Sequence, residues 1–205
     1  MTGRYPSPRA LLDKYELRAK KSWGQNFLGD EGILDDIARL AAPGAGDAVV
    51  GNLPYHLTSP ILFSLLDQLE HVSRAVFLLQ REVAERLAAR PGSHDWGLAS
   101  VFLQREADVS VERIVPPGAF VPPPNVESAV LCALFRAPTD AVAVPERFRR
   151  LVKAGFAQRR KTLRNALEAA RIAPPERLAE ALARAPVEVP FSSPARGRSP
   201  PTPPR

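Results

Sequence analysis

Apolar residues along this chain recur at two spacings, one typical of helices and one typical of strands. Residues 31–42 carry apolar side chains on one helical face and have Asp30 before them as an N-cap, which predicts a helix. Short apolar runs at 47–51 and 74–80 predict buried strands, and residues 81–90 predict a further helix. Strand and helix in alternation is the pattern of a doubly wound α/β sheet.

A helix is also predicted between the first two strands. Ser59 as N-cap and Pro60 at the first helical position begin it, and leucine and isoleucine at helical spacing continue it to Leu69. Further along, residues 108–115 and 126–135 have the pattern of two strands joined by a proline-rich connection. Such a late pair is typical of an antiparallel edge on an otherwise parallel sheet.

The last third of the chain changes to helical periodicity and then to a proline-rich composition. We therefore expect a loose N-terminal arm (residues 1–20), an α/β domain (21–140), a small helical domain (145–185) and a tail (186–205). The tail contains seven prolines together with serine and arginine. Because such a composition cannot build a core, we expect the tail to be disordered.

Composition narrows the class of protein and of partner. The chain has 205 residues, 45% of them hydrophobic, which is enough for one core and a small appended domain. The net charge of +6 and the sequence pI of about 10.0 favour a polyanionic partner, with nucleic acid first. No apolar run approaches the roughly 20 residues that span a bilayer, and no secretion signal is evident. Cys132 has no partner for a disulfide, so we expect a cytoplasmic protein. We also expect a monomer and no membrane contact.

The most unusual segment is Asn52-Leu53-Pro54-Tyr55, which follows the first apolar strand. An amino group on a flat ring is a poor nucleophile because its lone pair is delocalised into the ring. The Asn52 side-chain oxygen and the next backbone carbonyl can accept both amino hydrogens and localise that lone pair, while Tyr55 can stack on the ring. Pro54 makes the turn rigid. An ordinary strand-to-helix loop has the same kinds of turn residues, so this segment alone does not distinguish a catalytic turn from a structural loop.

Basic residues are concentrated near the start of the predicted helical domain. Eight of them lie between residues 146 and 164, against the single acid Glu146: Arg147, Arg149, Arg150, Lys153, Arg159, Arg160, Lys161 and Arg164. Charge runs usually form solvated helix faces. The imbalance nevertheless favours contacts to the phosphates of a nucleic acid.

Two loops have the composition of a binding site, and each has a structural alternative. In residues 21–28, polar side chains between Trp23 and Phe27 suit a small ligand, although a loop whose aromatic rings plug the core explains them better. In residues 115–124, prolines on both sides of Phe120 present its ring for stacking on a base, or bury it within the crossover. The three histidines lack metal-ligand spacing, so we expect no metal site.

Five segments in this order resemble the ribosomal RNA adenine dimethyltransferase family. They are GQNFL (24–28), GNLPY (51–55), QREVAER (80–86), the segment 115–130, and FAQRRKTLRN (156–165). Members of this family use S-adenosylmethionine to methylate adenine in small-subunit ribosomal RNA. Over residues 21–182, the resemblance implies an α/β Rossmann-like methyltransferase sheet followed by a small helical RNA-binding domain.

The resemblance also implies roles for single residues. Those implied to contact the cofactor are Asn26, Leu28 and Asn52. Those implied to act on the target adenine are Asn52, Leu53, Tyr55 and Phe120, the two rings sandwiching a flipped base. Those implied to contact RNA are Arg159, Arg160, Lys161 and Arg164. Direct methyl transfer of this kind needs no metal.

The chain departs from the family pattern at the strand 47–51. The family continues there with a glycine-rich loop, a second strand ending in an acidic residue for the ribose hydroxyls, and a further acidic residue beside the adenine. About two strand–helix units, on the order of 60 residues, are missing, because one such unit with its crossover takes roughly 30. We therefore expect an incomplete sheet whose flanking helices lose packing partners.

Two functions are compatible with these residues. The first is S-adenosylmethionine-dependent dimethylation of adenine amino groups in small-subunit ribosomal RNA, with activity impaired by the internal deletion. The second is a non-catalytic ribosomal RNA-binding or ribosome-assembly protein that keeps the basic helices and has lost the cofactor pocket.

Overall fold

The computed structural model describes residues 6–19, 25–42, 47–54, 57–67, 69, 72–136, 145–158 and 161–185. The strands are, in chain order, β1 (Phe27–Leu28), β2 (Asp47–Asn52), β3 (Val72–Gln80), β4 (Ala107–Val115), β5 (Phe120–Val121) and β6 (Ser128–Phe135). The helices are α1 (Pro8–Lys14), α2 (Glu31–Leu40), α3 (Thr58–Leu66), α4 (Arg81–Leu87), α5 (Leu98–Glu106), α6 (Pro145–Phe156), α7 (Leu163–Ala169) and α8 (Pro175–Arg184).

The chain divides into two compact units. The larger one comprises Met1–Arg90 with Asp95–Ala141, and the smaller one comprises Pro91–His94 with Val142–Arg205. Strands β1 to β6 and helices α1 to α5 belong to the first unit, and helices α6 to α8 belong to the second.

A four-stranded sheet in the order β2-β3-β6-β4 organises the larger unit. Strand β2 pairs parallel with β3, because α3 carries the chain back between them. Strand β6 lies between β3 and β4 and is antiparallel to both. The positions of the predicted strands and the antiparallel pairing near the end of the domain are therefore confirmed, and the parallel part of the described sheet consists of one strand pair. The prediction that β2 is buried is wrong, because none of its residues is buried.

Helices cover both faces of this sheet. On one face, strand residues such as Phe77 and Leu131 pack with Leu62 of α3, Leu87 of α4 and Leu103 of α5, all of them buried. On the other face, the buried residues come from α2, β3, β4, β5 and β6: Ile33, Val76, Leu78, Val115, Phe120, Val130 and Cys132. The result is the three-layer arrangement that the alternating pattern predicted.

Polar contacts hold α2 against the sheet. At its start, the Asp30 carboxylate accepts a hydrogen bond from the backbone N–H of Ile33 at 3.0 Å, which confirms the predicted N-cap. At its end, Arg74 Nη1 of β3 donates to the carbonyls of Leu40 (2.7 Å) and Ala42 (3.2 Å). These carbonyls have no partner inside the helix, so the guanidinium satisfies them and complements the negative end of the helix dipole.

Three elements differ from the sequence prediction. Residues 1–20 were expected to be a loose arm, but Ser7 accepts from the Ala10 N–H and Pro8 stands at the first position, so α1 forms there. Helix α5 was not predicted, since it directly precedes β4 without a break in the apolar pattern. Helix α3 begins at Thr58, one residue before the predicted cap Ser59.

The flanking helices α2 and α3 do not show the loss of packing that the sequence analysis predicted. Ile33 of α2 is 1% exposed and Leu62 of α3 is 3% exposed, so both helices keep partners on the sheet. Exposure is larger on β2, where Val50 is 51% exposed, than on α2, where Leu34 is 37% exposed. The incomplete sheet is therefore most evident in the exposed side chains of its outer strand β2.

The smaller unit is a helical cluster around a small core. Ala154 of α6, Leu167 of α7 and Leu178 of α8 are buried against one another. Thr162 caps α7 by accepting from the Asn165 N–H, and Pro174-Pro175 begins α8. A helical character for this part of the chain agrees with the prediction, whereas the tail from residue 186 lies outside the described residues.

None of the helices in the described ranges combines the length and the apolar character that crossing a bilayer requires.

The link between α2 and β4 predicts a pH-dependent stability. Hydrogen bonds from Arg113 and then Arg39 lower the pKa of the Asp36 carboxyl. A pKa that is lower in the folded state stabilises the protein above the unfolded pKa, and this contribution is lost as the pH falls through the folded value. We expect Asp36→Asn to lower the urea midpoint at neutral pH and this difference to shrink in acid.

The neighbouring substitution Asp35→Asn, which removes the same charge from an exposed position of the same helix, is the control. A deficit of Asp36→Asn that stays constant from neutral to acid pH, or that the control reproduces, would show that the carboxylate does not contribute through these arginines.

Candidate functional site

Strand β2 ends at Asn52 and fixes the backbone of the next residue. The N–H of Leu53 donates to the carbonyl of Leu78 in β3 at 3.0 Å, and the Leu53 side chain is 7% exposed within the core. A Cβ at Gly51 would lie 3.1 Å from the Leu53 side chain, so glycine allows this close packing. The segment that carries the predicted amine acceptors is thus held at the end of the parallel pair formed by β2 and the buried strand β3.

The turn after Asn52 is closed by the Pro54 carbonyl. It accepts from the backbone N–H of Leu57 at 2.9 Å and from the hydroxyl of Thr58 at 3.4 Å. These bonds lead directly into α3. The Pro54 carbonyl is therefore occupied within the turn. The two acceptors that the sequence predicts for an amine are the side-chain oxygen of Asn52 and the backbone carbonyl of Leu53.

The Asn52 side chain is oriented by a contact with a distant segment. Its Nδ2 donates to the backbone carbonyl of Asn26 at 3.1 Å, although 26 residues separate the two along the chain. Because the amide group is planar, this donation turns Oδ1 away from Asn26. The structure therefore brings Asn26 and Asn52 together, as the resemblance implied.

A cavity of about 540 Å³ lies beside this contact. Leu28 of β1, Ile37 of α2, Asn52 of β2 and Leu78 of β3 contribute to its lining. Among the described residues that line it, Asn52 and Tyr15 supply the polar side chains, and no Asp or Glu is present. Of the three residues that the resemblance assigned to a cofactor, Leu28 and Asn52 line this apolar space. Asn26 is not part of the lining and contacts it through its hydrogen bond with Asn52.

Helix α1 supplies a wall of the cavity that the sequence analysis did not assign. Leu11, Leu12 and Tyr15 line the space together with Pro8. The signal was present in the sequence, because Ser7-Pro8 begins a helix and the apolar residues follow at helical spacing. Phe27, the ring expected to plug the core, lines the same cavity and is 40% exposed.

Phe120 has the buried position that the sequence left open as an alternative. It is 3% exposed and packs with Ile33 and Val115, and β5 pairs with β1 so that Leu28 lies opposite Phe120. This placement corrects the expectation of a presented ring, because a ring so deeply buried has no free face for a base. Its companion Tyr55 lies outside the described residues, as does Trp23.

Of the four residues predicted to contact RNA, the structure describes two, and both belong to the smaller unit. Lys161 and Arg164 are exposed, and Arg164 Nε also donates to Glu168 at 2.9 Å. Arg159 and Arg160 lie outside the described residues. Helix α6 adds the exposed side chains of Arg147, Arg150 and Lys153. A partly exposed pair such as Arg164–Glu168 is weak and leaves the guanidinium accessible to a phosphate.

Comparisons with known proteins converge on one family. The sequence model described as Ribosomal RNA adenine dimethylase matches residues 43–184. A protein of Anaeromyxobacter sp. (strain K) named Ribosomal RNA small subunit methyltransferase A is 58% identical over 263 residues, covering 92% of this chain and 93% of the relative. A protein of the same name from Myxococcus xanthus (strain DK1622) is 41% identical over 228 residues, covering 79% of this chain and 81% of the relative.

Solved structures support the same fold. A dimethyladenosine transferase from Plasmodium falciparum superposes with a TM-score of 0.55 at 25% identity, over 60% of this chain and 44% of that one. The 23S rRNA methyltransferase ErmE gives a TM-score of 0.53 at 27% identity, over 71% of this chain and 59% of that one. The chain thus spans about half the length of these two structures.

The length of the alignment with the Anaeromyxobacter protein shows that this chain lacks residues that the relative has. It extends over 263 residues of the Anaeromyxobacter relative but takes in 92% of this chain, which is about 189 of its 205 residues. About 74 positions of the relative therefore have no counterpart here, close to the size of the deletion predicted after β2 begins. With a matching family model over most of its length and relatives of this identity, the chain belongs to the ribosomal RNA adenine dimethylase family.

Proposed function

We propose that this chain acts on small-subunit ribosomal RNA in the cytoplasm as an S-adenosylmethionine-dependent adenine dimethyltransferase. The observation that supports this most directly is the hydrogen bond from Asn52 to the Asn26 carbonyl in a member of the adenine dimethylase family. It orients the side chain of Asn52, whose oxygen can accept from an adenine amino group.

The proposed chemistry of the protein is to prepare the amine. Asn52 Oδ1 and the Leu53 carbonyl accept the two amino hydrogens, which draws the lone pair out of the ring and onto the nitrogen. Leu53 is held by its bond to Leu78, and Asn52 by its bond to Asn26, so neither acceptor has to reorganise during the reaction. The target adenine has to leave its stack to reach them, with Tyr55 as the proposed stacking residue.

S-adenosylmethionine would supply the methyl group. Leu28 and Asn52, with Asn26 behind them, are the proposed contacts, and the apolar wall of the cavity suits a purine ring. A ribose diol is usually held by a carboxylate. The described lining contains none, so the residues present fit the target amine and leave the ribose hydroxyls without such a partner.

This mismatch favours a second candidate, a non-catalytic ribosomal RNA-binding or ribosome-assembly protein. About 74 positions of a close relative are missing, and the sequence places the gap where the family holds its cofactor. Calorimetric titration with S-adenosylmethionine separates the two candidates. Heat of binding supports the transferase, whereas no binding together with retained affinity for ribosomal RNA assigns the second function.

The basic helices of the smaller unit are the proposed RNA-binding surface for both candidates. Exposed lysine and arginine side chains neutralise phosphates and release counterions, so binding is expected to weaken as salt is raised. Arg159 and Arg160 are included in this proposal from the sequence alone.

The first prediction concerns the amine acceptor. We expect Asn52→Ala to lower methyl transfer to adenine in small-subunit ribosomal RNA by about 10²–10³-fold, the usual effect of removing one preorganised polar contact. RNA affinity and the Tm should change little, because Asn52 is exposed and lies in the larger unit. Transfer of a radiolabelled methyl group is the measurement, and undiminished transfer by the variant would remove Asn52 from the mechanism.

The second prediction concerns the basic surface. The double substitution Lys161→Ala with Arg164→Ala should make the slope of log K against log salt shallower by about 1.5, as expected for two lost phosphate contacts. Filter binding to a small-subunit ribosomal RNA fragment at several salt concentrations measures this slope.

The matched control is Arg177→Ala with Arg184→Ala on α8. It removes the same charge from two exposed positions of the same unit, and Arg184 makes an i,i+4 pair with Glu180 just as Arg164 does with Glu168. Equal slopes for the two double variants would mean that net charge, and not this surface, governs the binding.

A further inference from the structure

The two outer strands of the main sheet are built differently. Strand β4 carries Asp108, Glu112 and Arg113, and its register shifts between residues 111 and 113. Charge and irregular pairing are the usual ways in which a protein protects a sheet edge from other strands. From Ala48 to Asn52, β2 has no charged residue and pairs regularly with β3.

The free side of β2 also borders an apolar patch. Twelve large hydrophobic side chains are exposed among the described residues, and six of them line the cavity beside β2. These six are Leu11, Tyr15, Leu17, Phe27, Leu34 and Val50. Clusters of exposed apolar side chains mark ligand-binding grooves or surfaces that bind another protein.

The backbone groups on the free side can be assigned from the pairing with β3. The N–H of Leu53 points toward β3, because it donates to the Leu78 carbonyl. Backbone groups alternate in direction along a strand, so those of Ala48, Val50 and Asn52 point away from β3. In the described part of the chain, no strand pairs with this side of β2.

We propose that β2 pairs in antiparallel fashion with β2 of a second copy of this chain. The two-fold axis passes beside Val50, so that Val50 faces its equivalent and Ala48 faces Asn52 of the other copy. This register uses all three outward-pointing residues and forms about six backbone hydrogen bonds, joining two sheets into one.

The composition of β2 favours a second copy as the occupant, and charge sets the direction of pairing. A parallel pairing in register would set the two Asp47 carboxylates side by side, whereas the antiparallel pairing places them at opposite ends. The strand is otherwise small and uncharged and therefore complements itself. This dimer replaces the monomer that the sequence led us to expect, and it does not depend on the proposed function.

Sedimentation velocity of the full chain at rising concentration tests the proposal. We expect a dimer for the natural sequence, a monomer for Val50→Lys, in which two ammonium groups would meet at the axis, and a dimer for Ile114→Lys. Ile114 is the matched control, because it is also β-branched and exposed on an outer strand of the same sheet. Far-UV circular dichroism of both variants checks that they are folded.

A cysteine variant tests the register and stays informative if Val50→Lys fails to fold. Facing residues of a hydrogen-bonded antiparallel pair have Cα atoms about 5.5 Å apart, within the range that a disulfide spans. Val50→Cys should therefore cross-link two copies on mild oxidation, and Ile114→Cys should not. A natural chain that stays monomeric, a dimer that persists in Val50→Lys, or equal cross-linking of the two cysteine variants would each overturn the proposal.

Discussion

The hydrogen bond from Asn52 to the carbonyl of Asn26 is the interaction on which the candidate site depends. It joins the end of β2 to the segment before β1, and so it brings together two motifs that are far apart along the chain. The site can exist because the layers around it are rigid. Strand β3 holds Leu53 from one side, while Arg74 and Asp30 fix the two ends of α2 on the other. Because the Asn52 amide is planar, fixing its Nδ2 by this bond also fixes its Oδ1. A fixed acceptor is the property that an amine-orienting group needs.

The rest of the molecule shows what happens when a methyltransferase sheet loses strands. Four strands remain, and the helices on both faces stay packed, because β3 and β6 carry most of the buried core. The effect appears at β2, an outer strand whose one charged residue is Asp47 at its start. The cavity beside Asn52 is apolar as well, and its described lining contains no Asp or Glu. The positions missing relative to the Anaeromyxobacter protein therefore explain why β2 is an exposed outer strand.

Much of the fold could be predicted from the sequence because local signals agreed with it. Asp30 caps α2 as predicted, the apolar runs became β2 and β3, and the changed periodicity after Pro145 became three helices. The deletion was also visible, because the family motifs appeared in order with too few residues between two of them. Short motifs predicted one site from Asn26, Leu28 and Asn52; the fold places Leu28 and Asn52 on one cavity and joins Asn26 to Asn52 by a hydrogen bond.

What the sequence missed depends on tertiary packing. Helix α1 has a local signal in Ser7-Pro8, but its part in the site depends on the cavity that its apolar residues line. The prolines around Phe120 are compatible with a ring exposed to a base and with a buried ring. In the structure β5 pairs with β1, and the ring is buried. Edge exposure of β2 follows from strand order, which local patterns do not contain.

The central claim is that the Asn52 amide accepts a hydrogen bond from an adenine amino group, and side-chain amide NMR tests it most directly. An RNA oligonucleotide containing an unmodified target adenine should shift the Asn52 side-chain signals. The same oligonucleotide with N6,N6-dimethyladenine at that position has no amino hydrogen to donate and should leave them nearly unchanged. Equal shifts with both oligonucleotides, or none with either, would contradict the account.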